Sequence, residues 1–421
     1  MEQVNTVVVG GGQAGIAMSE QLSHYNIPHI VLERGRIAER WRSERWDSLL
    51  ANGPAWHDRL PGMEIPGAHP DSFPSKERMA DYISEYAAKF NVPIRCGVNV
   101  QSVRKRPGRA GFQINTSQGD IEAQNVIAAT GPFQLPVVPD LVPNSSGIVQ
   151  IHSSAYKNPQ QLPEGSILVV GAGASGGQIA DELQHAGRRV YLSIGRHDRP
   201  PRTYRSRDGA YWSGVLGTWD AVSSEANPEN IAIAVSGVYS DRSLDYRKMA
   251  LDGMVLLGRA ELYSHGKMYF ADDLARNIEL GNKSHMAILD AADRYVIYNG
   301  LDFPEDPDAR IVPPACQYEI DPIRILDLAE ANVNSIVWAT GFARDYRWIE
   351  LDVFDENGCP VHKRGISAER GIYFLGLPFQ SRRSSSFIFG VSHDARFLAE
   401  HIEIMRNYDS KGVIGSVNVN V

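Results

Sequence analysis

Two short apolar runs of the chain each end in a glycine-rich turn that is followed by a helical pattern. The first run covers residues 6–9 and leads into Gly10-Gly11-Gly12-Gln13-Ala14-Gly15. The second run covers residues 167–170 and leads into Gly171-Ala172-Gly173-Ala174-Ser175-Gly176. Runs rich in β-branched residues predict buried strands, and apolar residues three and four positions apart predict helices. The pattern therefore predicts two strand–turn–helix units.

The glycines of both turns fit the fingerprint of a dinucleotide site. The first glycine permits the tight turn, the second lets the backbone approach a pyrophosphate, and the third lets the helix pack on the strand. The anion then lies at the helix N-terminus, where free N–H groups and the helix dipole favour negative charge. A glycine-rich turn without a ligand is the alternative for either motif alone. Two such units favour two nucleotide cofactors, between which the simplest reaction is hydride transfer.

The residues that end the next strand differ between the two units. In the first unit that strand ends at Glu33, with Arg34 beside it, and a carboxylate there accepts hydrogen bonds from ribose hydroxyls. In the second unit no acid closes the equivalent strand, and Ser193 and Arg196 stand there instead. Cations without an acid suit a 2′-phosphate, so the second unit predicts NADP(H) rather than NAD(H). The alternative is that Arg196 and its neighbours Arg199 and Arg202 form a solvated surface.

Composition narrows the class of protein. The chain has 421 residues, of which 43% are hydrophobic and 22% charged, which is ordinary for a globular protein of two or three domains. The net charge is −8 without a basic block, so a nucleic-acid partner is not expected. The three cysteines are far apart and form no CxxC pair, which argues against a disulfide reductase.

The sequence shows neither the pattern of a signal peptide nor that of a membrane span, and this predicts the localisation. The N-terminal apolar run is the first strand and follows no basic segment, so it does not resemble a signal peptide. No stretch approaches the roughly 20 apolar residues that a membrane span needs. We therefore expect a cytoplasmic protein without a membrane partner, and the cysteine usage fits a reducing compartment.

The remaining pattern predicts the domain organisation. Residues 36–75 read as an ordered loop over a site, residues 76–90 as a helix, 94–129 as a β-meander and 270–298 as a helix. Strand endings of the form Ala-Thr-Gly recur at 129–131 and 339–341. The predicted fold is α/β, with two doubly wound Rossmann-type dinucleotide-binding domains. The FAD-binding domain is predicted at 1–160 and 328–421, and the NADP-binding domain is inserted at 161–327, with an insertion of its own at about 201–310.

With these motifs the chain resembles the class B flavin-dependent monooxygenases, which include the flavin-containing and Baeyer–Villiger enzymes, and particularly their shorter bacterial members. The resemblance spans nearly the whole chain and depends on six features in the expected order. They are the first fingerprint, the strand end at Glu33, the segment from Trp41 to Leu49, the segment 152–156, the second fingerprint with Ser175-Gly176, and the late Ala339-Thr340-Gly341-Phe342.

The resemblance implies a reaction. FAD would lie in the first domain and NADPH in the second. NADPH would reduce the flavin, dioxygen would add to flavin carbon 4a, and bound NADP⁺ would shield the peroxyflavin from water. One oxygen would pass to a small organic substrate by N- or S-oxygenation or in a Baeyer–Villiger reaction. The alternatives are an NADPH-dependent flavin reductase or dehydrogenase without oxygen transfer, and a non-enzymatic nucleotide-binding protein. A homodimer is a possible assembly.

The resemblance and the motifs together predict the site residues. Asn52 is the catalytic candidate, since related enzymes bring a polar side chain near the flavin there, although Asn before Gly-Pro is also common in turns. His57 and Asp58 follow in the same loop as candidates to line the cavity. No metal site is expected. The predicted cofactor-binding residues are Gly10, Gly12, Gln13, Ala14, Gly15, Glu33, Arg34, Arg40, Trp41, Trp46, Thr130, Gly131, Gly171, Gly173, Ser175, Gly176, Ser193, Arg196, Thr340, Gly341 and Val391.

Overall fold

The strands of the protein form two parallel sheet cores and several short ribbons. The computed structural model describes residues 1–223, 232–238 and 243–410. Its strands are β1 (Glu2–Val9), β2 (His29–Glu33), β3 (Ile94–Cys96), β4 (Val100–Lys105), β5 (Phe112–Thr116), β6 (Gly119–Ala128), β7 (Leu135–Pro136), β8 (Val149–His152), β9 (Ser166–Val170), β10 (Val190–Ser193), β11 (His197–Asp198), β12 (Thr203–Tyr204), β13 (Arg207–Asp208), β14 (Ala232–Ile233), β15 (Val255–Leu257), β16 (Ala260–Ser264), β17 (Lys267–Phe270), β18 (Ile325–Asp327), β19 (Val333–Trp338), β20 (Phe342–Ala343), β21 (His362–Lys363), β22 (Ile366–Ser367) and β23 (Ile372–Phe374).

The helices follow the predicted pattern closely where it was periodic. They are α1 (Gln13–His24), α2 (Glu39–Ser43), α3 (Lys76–Lys89), α4 (Ala174–His185), α5 (Gly209–Val215), α6 (Tyr246–Leu251), α7 (Leu274–Asn299), α8 (Gln317–Ile320) and α9 (Val391–Ser410). The helix expected at 76–90 is α3, and the helix expected at 270–298 is α7, which begins four residues later because β17 continues to Phe270.

The first sheet surrounds the N-terminal strand. Its order is β21-β22-β23-β6-β1-β2-β3, and β4 and β5 extend it through the pairing of β5 with β6. The strands β1, β2, β3, β6 and β23 run parallel, whereas β4, β5 and the first half of β6 form the antiparallel meander expected at 94–129. The parallel strands bury their apolar runs from both faces, which explains why β1 ends in four fully buried residues.

The second sheet surrounds the second glycine motif. Its order is β15-β10-β9-β19-β8, and every pair in it is parallel. The expected α/β fold with two doubly wound units is therefore confirmed. Along the chain, residues 201–254 of the predicted insertion fall between β10 and β15, which are neighbours in the sheet.

Strand pairing bears on the predicted domain boundaries, which remain a proposal. The strands β8 and β19 pair with each other in the second sheet, although the predicted boundaries at 160 and 328 assign both to the first domain. The pairing favours moving the first boundary to before residue 149 and the second to after residue 338. The sequence did not reveal this because β8 is short and carries no motif.

Helix capping distinguishes the two motif helices from several others. The helices α3, α5 and α6 begin after Ser75, Asp208 and Asp245, whose side chains accept hydrogen bonds from first-turn N–H groups. The helices α1 and α4 begin after Gly12 and Gly173, and no side chain among the described residues caps them. Since a glycine cap leaves the first-turn N–H groups without a side-chain partner, both helices present unpaired donors at their N-termini.

No helix within the described ranges combines the length and the apolar character that crossing a bilayer requires.

Candidate functional site

The first glycine turn is built so that its backbone stays close to the strand and helix. Gly10 has a φ of +115°, and a Cβ there would lie 2.6 Å from the carbonyl oxygen of Ala129. A Cβ on Gly15 would lie 1.8 Å from the carbonyl oxygen of Gly10, so only glycine lets α1 approach β1 this closely. At Gly12 no described atom lies within 4 Å of the Cβ position, so this face of the turn points into open space.

A long cleft begins at this turn. It has a volume of about 1430 Å³, counted to its open mouth. It brings together many of the predicted site residues, namely Gly10, Gly12, Gln13, Ala14, Glu33, Arg34, Arg40, Trp41, Thr130 and Gly131. Sequence reasoning missed other lining residues, namely Val98, Asn99, Gln134, Asp345, Gly376 and Ser386. They come from five separate places in the chain, and no local motif marks them.

Glu33 stands at the C-terminal end of β2, beside the turn. Its two carboxylate oxygens accept hydrogen bonds from the backbone N–H groups of Gly11 at 2.6 Å and Gly35 at 2.7 Å. These bonds fix the carboxylate at the wall of the cleft, and each oxygen keeps a lone pair for a further donor. The geometry is compatible with the predicted ribose contact, which remains a proposal.

Two arginines of the cleft differ in how many N–H donors of their guanidinium groups already bond to the protein. Arg40 donates to the side chain of Glu44 at 2.7 Å and to the carbonyl oxygens of Phe133 and Gln134, so it ties α2 to the opposite wall. The Arg45 guanidinium makes one hydrogen bond within the described residues, to the carbonyl oxygen of Glu44 at 2.9 Å. Burial lowers the pKa of Arg45 to about 10. Arg45 is therefore the better placed of the two to meet an anion.

Trp46 lies away from the cleft, and its cofactor contact stays a prediction. It is buried in the core beneath the second sheet, together with Tyr156 and Ile179, and it does not line the cleft. Its neighbour in the motif, Trp41, does line the cleft. The reason is that α2 ends at Ser43, and the chain then turns towards α4, where Ser48 donates a hydrogen bond to Glu182 at 2.7 Å.

The last helix meets the first one near the cleft. A Cβ on Gly376 would lie 3.1 Å from Cβ of Ala14 and 4.0 Å from Cγ2 of Val391, so the starts of α1 and α9 converge at Gly376. The side chain of Gln13 donates to the carbonyl oxygen of Ser386 at 3.2 Å, which joins the loop before α9 to the glycine turn. Val391 itself is fully buried, so any contact with a ligand would come from its backbone.

The second glycine turn repeats the first in its close contacts. Gly171 has a φ of +106°, and a Cβ on Gly176 would lie 1.8 Å from the carbonyl oxygen of Gly171. The turn differs at Gly173, where a Cβ would lie 3.1 Å from Cβ of Ala232. The β14 segment therefore lies over the face that stays open in the first turn. Ser175 is in the first turn of α4, as expected.

Ser193, the last residue of β10, and Arg196, which follows the strand, differ in burial. Ser193 is buried, and its hydroxyl donates to the carbonyl oxygen of Gly258 and accepts from the N–H of Ala260. The hydroxyl thus holds the turn after β15, and the cofactor contact of Ser193 stays a prediction. Arg196 is exposed, and no partner is found for it in the described part of the chain. It remains the predicted phosphate contact.

The neighbouring arginines are structural. Arg199 is 5% exposed and donates to Asp245 and Asn282, both at 3.0 Å. Arg202 is 3% exposed and makes two bonds of 2.6 Å with the carboxylate of Asp208. Because separating a buried ion pair leaves an uncompensated charge, arginines that are paired in this way are not available to a phosphate.

Asn52 does not line the cleft, and its hydrogen bonds are to residues of the second unit and its surroundings. Its side-chain oxygen accepts a hydrogen bond from Nε2 of Gln178 at 2.9 Å, and its carbonyl oxygen accepts one from Arg202 at 2.7 Å. Gln178 is on α4, two residues after Gly176. The loop that follows the first unit is therefore bonded to the helix that starts the second.

The Ala-Thr-Gly endings lie where the chain crosses between the sheets. Nε2 of His152 donates to the carbonyl oxygen of Gly341 at 2.9 Å, while Nδ1 accepts from the N–H of Ser154 at 3.1 Å. Burial lowers the pKa of His152, in agreement with a neutral ring. The Thr340 hydroxyl donates to the carbonyl oxygen of Val137, next to β7. Thr340 and Gly341 thus join β19 to the first domain, and they do not line the cleft.

Comparison with known proteins agrees with this architecture. Residues 7–207 match the family described as pyridine nucleotide-disulphide oxidoreductase. An uncharacterized CzcO-like oxidoreductase of Geobacillus kaustophilus is 34% identical over 95% of this chain and 98% of its own length. The flavin-containing monooxygenase of Stenotrophomonas maltophilia shares the fold with a TM-score of 0.66 at 19% identity, over 96% of this chain and all of that chain. The structure of OTEMO complexed with FAD and NADP has a TM-score of 0.54 at 16% identity, over 97% and 86% of the two chains.

The chain is an oxidoreductase with the fold of the flavin-dependent monooxygenases, and the resemblance stated from its motifs is confirmed. It belongs to the family of CzcO-like oxidoreductases.

Proposed function

We propose that the protein is an NADPH- and O2-dependent FAD monooxygenase that inserts one oxygen atom into a small organic substrate, by N- or S-oxygenation or in a Baeyer–Villiger reaction. The other oxygen atom leaves as water, and NADPH provides the two electrons. The observation that carries the proposal is the presence of two uncapped helix N-termini, on α1 and α4, together with the hydrogen bond from Gln178 of α4 to Asn52 in the loop that follows the first unit.

The residues of the first cleft fit FAD. The N-terminus of α1 would hold the pyrophosphate, Glu33 the ribose and the start of α9 the electron-rich edge of the flavin. The donors left on Arg45 would meet the phosphates. When bound, FAD supplies the hydride acceptor and the oxygen chemistry.

The residues of the second site also fit NADPH, although a neighbouring segment lies over its glycine turn. The N-terminus of α4 offers uncapped donors, and Arg196 offers an exposed cation for the 2′-phosphate. Ala232 stands over Gly173, so the segment 232–238 would shift when a pyrophosphate approaches. Asn52 would then orient the nicotinamide side against the flavin.

The rival reductase proposal needs an electron acceptor other than oxygen. A disulfide acceptor would require a redox pair of thiols, and the three cysteines of the described chain are all unpaired. Cys316 is buried and Cys96 is exposed, and neither lines the cleft. This observation favours the monooxygenase over a disulfide-linked reductase.

The test is rapid mixing of the purified holoprotein. The flavin is first reduced with NADPH without oxygen, and the sample is then mixed with aerated buffer while spectra are recorded. A monooxygenase gives a long-lived spectrum distinct from those of oxidised and reduced flavin, and the spectrum persists only with NADP⁺ bound. Direct return to oxidised flavin with release of hydrogen peroxide would instead support the reductase. Light scattering on the same sample tests the expected homodimer, and cell fractionation tests the expected cytoplasmic location.

A further inference from the structure

Five rings form a cluster at the inner end of the loop that carries Asn52. The ring of His57 lies 3.9 Å from that of Phe389, 5.3 Å from that of Trp56 and 5.7 Å from that of Trp219, measured between centroids. Trp219 lies 5.5 Å from Phe387 and 5.1 Å from Phe389. We call these residues, Trp56, His57, Trp219, Phe387 and Phe389, the aromatic cluster.

Three separate segments build the aromatic cluster next to the cleft. Phe387 directly follows Ser386, which lines the cleft, and its carbonyl oxygen accepts from the N–H of Val391 at the start of α9. Trp219 comes from the 201–254 part of the predicted insertion, in a short 3₁₀ helix at 218–220. An ion pair between Arg382 and Asp220 at 2.6 Å holds this helix against the loop before α9. The cluster therefore stands where the predicted flavin edge, Asn52 and the inserted region meet.

The aromatic cluster is incompletely buried. Trp56 is 36% exposed, and the other four rings are half-buried. Large rings that serve only packing, such as Trp212 and Trp338, are fully buried in this protein. The indole nitrogen of Trp219 is also buried without a hydrogen-bond partner among the described residues. A buried donor without an acceptor costs stability, so an acceptor supplied by a ligand would be favourable.

His57 contributes the polar imidazole of the cluster, and a neighbouring carboxylate fixes the orientation of this ring. Its Nδ1 lies 2.8 Å from Oδ1 of Asp58, and Oδ2 of Asp58 accepts from the N–H of Gly53 at 2.9 Å. In the neutral ring the carboxylate at Nδ1 favours the proton on that nitrogen, and Nε2 is then an acceptor. The Asp58 carboxylate is in turn fixed by the backbone, so the imidazole is held in one orientation.

We propose, on the basis of the monooxygenase function above, that the aromatic cluster binds the substrate that is oxygenated and selects a planar aromatic molecule. The rings of Trp219 and Phe389 would stack on the substrate, the Trp219 N–H would donate to it, and Nε2 of His57 would accept from an N–H or O–H group of it. His57 is a positioning residue in this scheme, held by Asp58. It transfers no proton.

The first test measures binding, so that it does not depend on turnover. Thioanisole and cyclohexyl methyl sulfide differ only in the aromaticity of the ring. We expect the oxidised holoprotein with NADP⁺ to bind thioanisole about 3- to 10-fold more tightly in calorimetry, the size that stacked ring pairs contribute. Trp219→Leu abolishes the difference and Trp219→Phe retains most of it. Tyr298→Leu, which removes a ring that is 90% exposed on α7, leaves it unchanged.

The second test isolates His57. Indole and benzothiophene share a bicyclic shape, but only indole offers an N–H donor. His57→Phe is expected to remove a several-fold preference for indole while the preference for thioanisole over its saturated analogue persists. A merely structural role of His57 would change both preferences together.

Several outcomes would overturn the inference. One is equal affinity for the two sulfides, or no detectable binding of thioanisole. Another is a Trp219→Leu variant that weakens NADP⁺ binding and leaves the sulfides unaffected, because the cluster would then hold the nicotinamide. The spectra of the oxygen-mixing experiment decide the monooxygenase proposal separately, since they are recorded without substrate.

Discussion

The side chain of Gln178 donates a hydrogen bond to the side-chain oxygen of Asn52 at 2.9 Å, and the same Nε2 donates to the carbonyl oxygen of Val235 at 2.7 Å. One amide group thus joins helix α4 to the loop after the first unit and to the segment over the second glycine turn. This contact ties the loop that carries Asn52 to the second predicted cofactor site.

Replacement of the Gln178 side chain is expected to weaken binding of NADPH more than binding of the flavin. Gln178→Leu keeps the volume but removes both hydrogen bonds, each worth about 0.5–1.5 kcal/mol. We expect KM for NADPH to rise about 2- to 10-fold while the flavin content stays unchanged. Gln184→Leu is the matched control, because Gln184 is on the same helix and its side chain bonds, within the described ranges, only to the turn at 249–252. Equal effects of the two substitutions would contradict the role given to the contact.

Replacing glycine by alanine is expected to have different effects at two positions of the first turn, on flavin binding at one and on stability at the other. Gly12→Ala projects a methyl group into the cleft, where no described atom would meet it, so we expect normal thermal stability but a loss of bound flavin. Gly15→Ala places Cβ 1.8 Å from the carbonyl oxygen of Gly10, and overpacking of this kind costs about 1–3 kcal/mol or more. Thermal unfolding of the flavin-free proteins and flavin absorbance separate the two effects. Retention of flavin by Gly12→Ala would count against the pyrophosphate position.

Arg196 is expected to carry the preference for NADPH over NADH. Arg196→Gln removes an exposed cation after β10, and a charged hydrogen bond contributes about 1.5–3 kcal/mol. We expect kcat/KM for NADPH to fall about 10- to 100-fold and that for NADH to change little. Arg189→Gln removes an exposed cation from the other end of the same strand and serves as the control. An unchanged ratio of the two cofactors would show that Arg196 belongs to a solvated surface.

His152 is expected to make stability depend on pH on the acid side. Burial lowers its pKa in the fold below the usual value of about 6.5, so the unfolded chain takes up a proton at a higher pH than the folded protein does. The contribution of His152 is therefore present above pH ~6.5 and is lost as the pH falls below it, by at most ~1.4 kcal/mol per pH unit.

The measurement is urea unfolding between pH 8 and pH 5.5. His152→Asn is expected to give a shallower dependence than the parent protein, because one proton fewer is taken up on unfolding. His24→Asn, at an exposed position in the last turn of α1, is the control. Parallel curves for His152→Asn and the parent protein would show that the ring is not held neutral by the fold. Other buried histidines contribute to both curves and cancel in the comparison.

Local patterns predicted the periodic elements well. The strands β1 and β9, the helices α1 and α4 and the glycine turns follow from short-range rules, since steric limits on backbone angles act over a few residues. The placement of single side chains was harder to predict. Trp46 and Ser193 stand next to true motif positions, yet both point into the core, because small changes of chain direction after α2 and β10 decide which face they occupy.

The sequence by itself determined the two strand–turn–helix units, the acidic strand end at Glu33 and the exposed cation at Arg196, because each depends on neighbours within one unit. Only the tertiary structure decided that β8 and β19 share the second sheet, that Arg199 and Arg202 are buried in ion pairs, and that Asn52 bonds to Gln178. It also decided that Trp219 joins His57 and Phe389 in one cluster. These contacts join residues far apart in the chain, and their partners are selected by packing and burial, which no local pattern encodes.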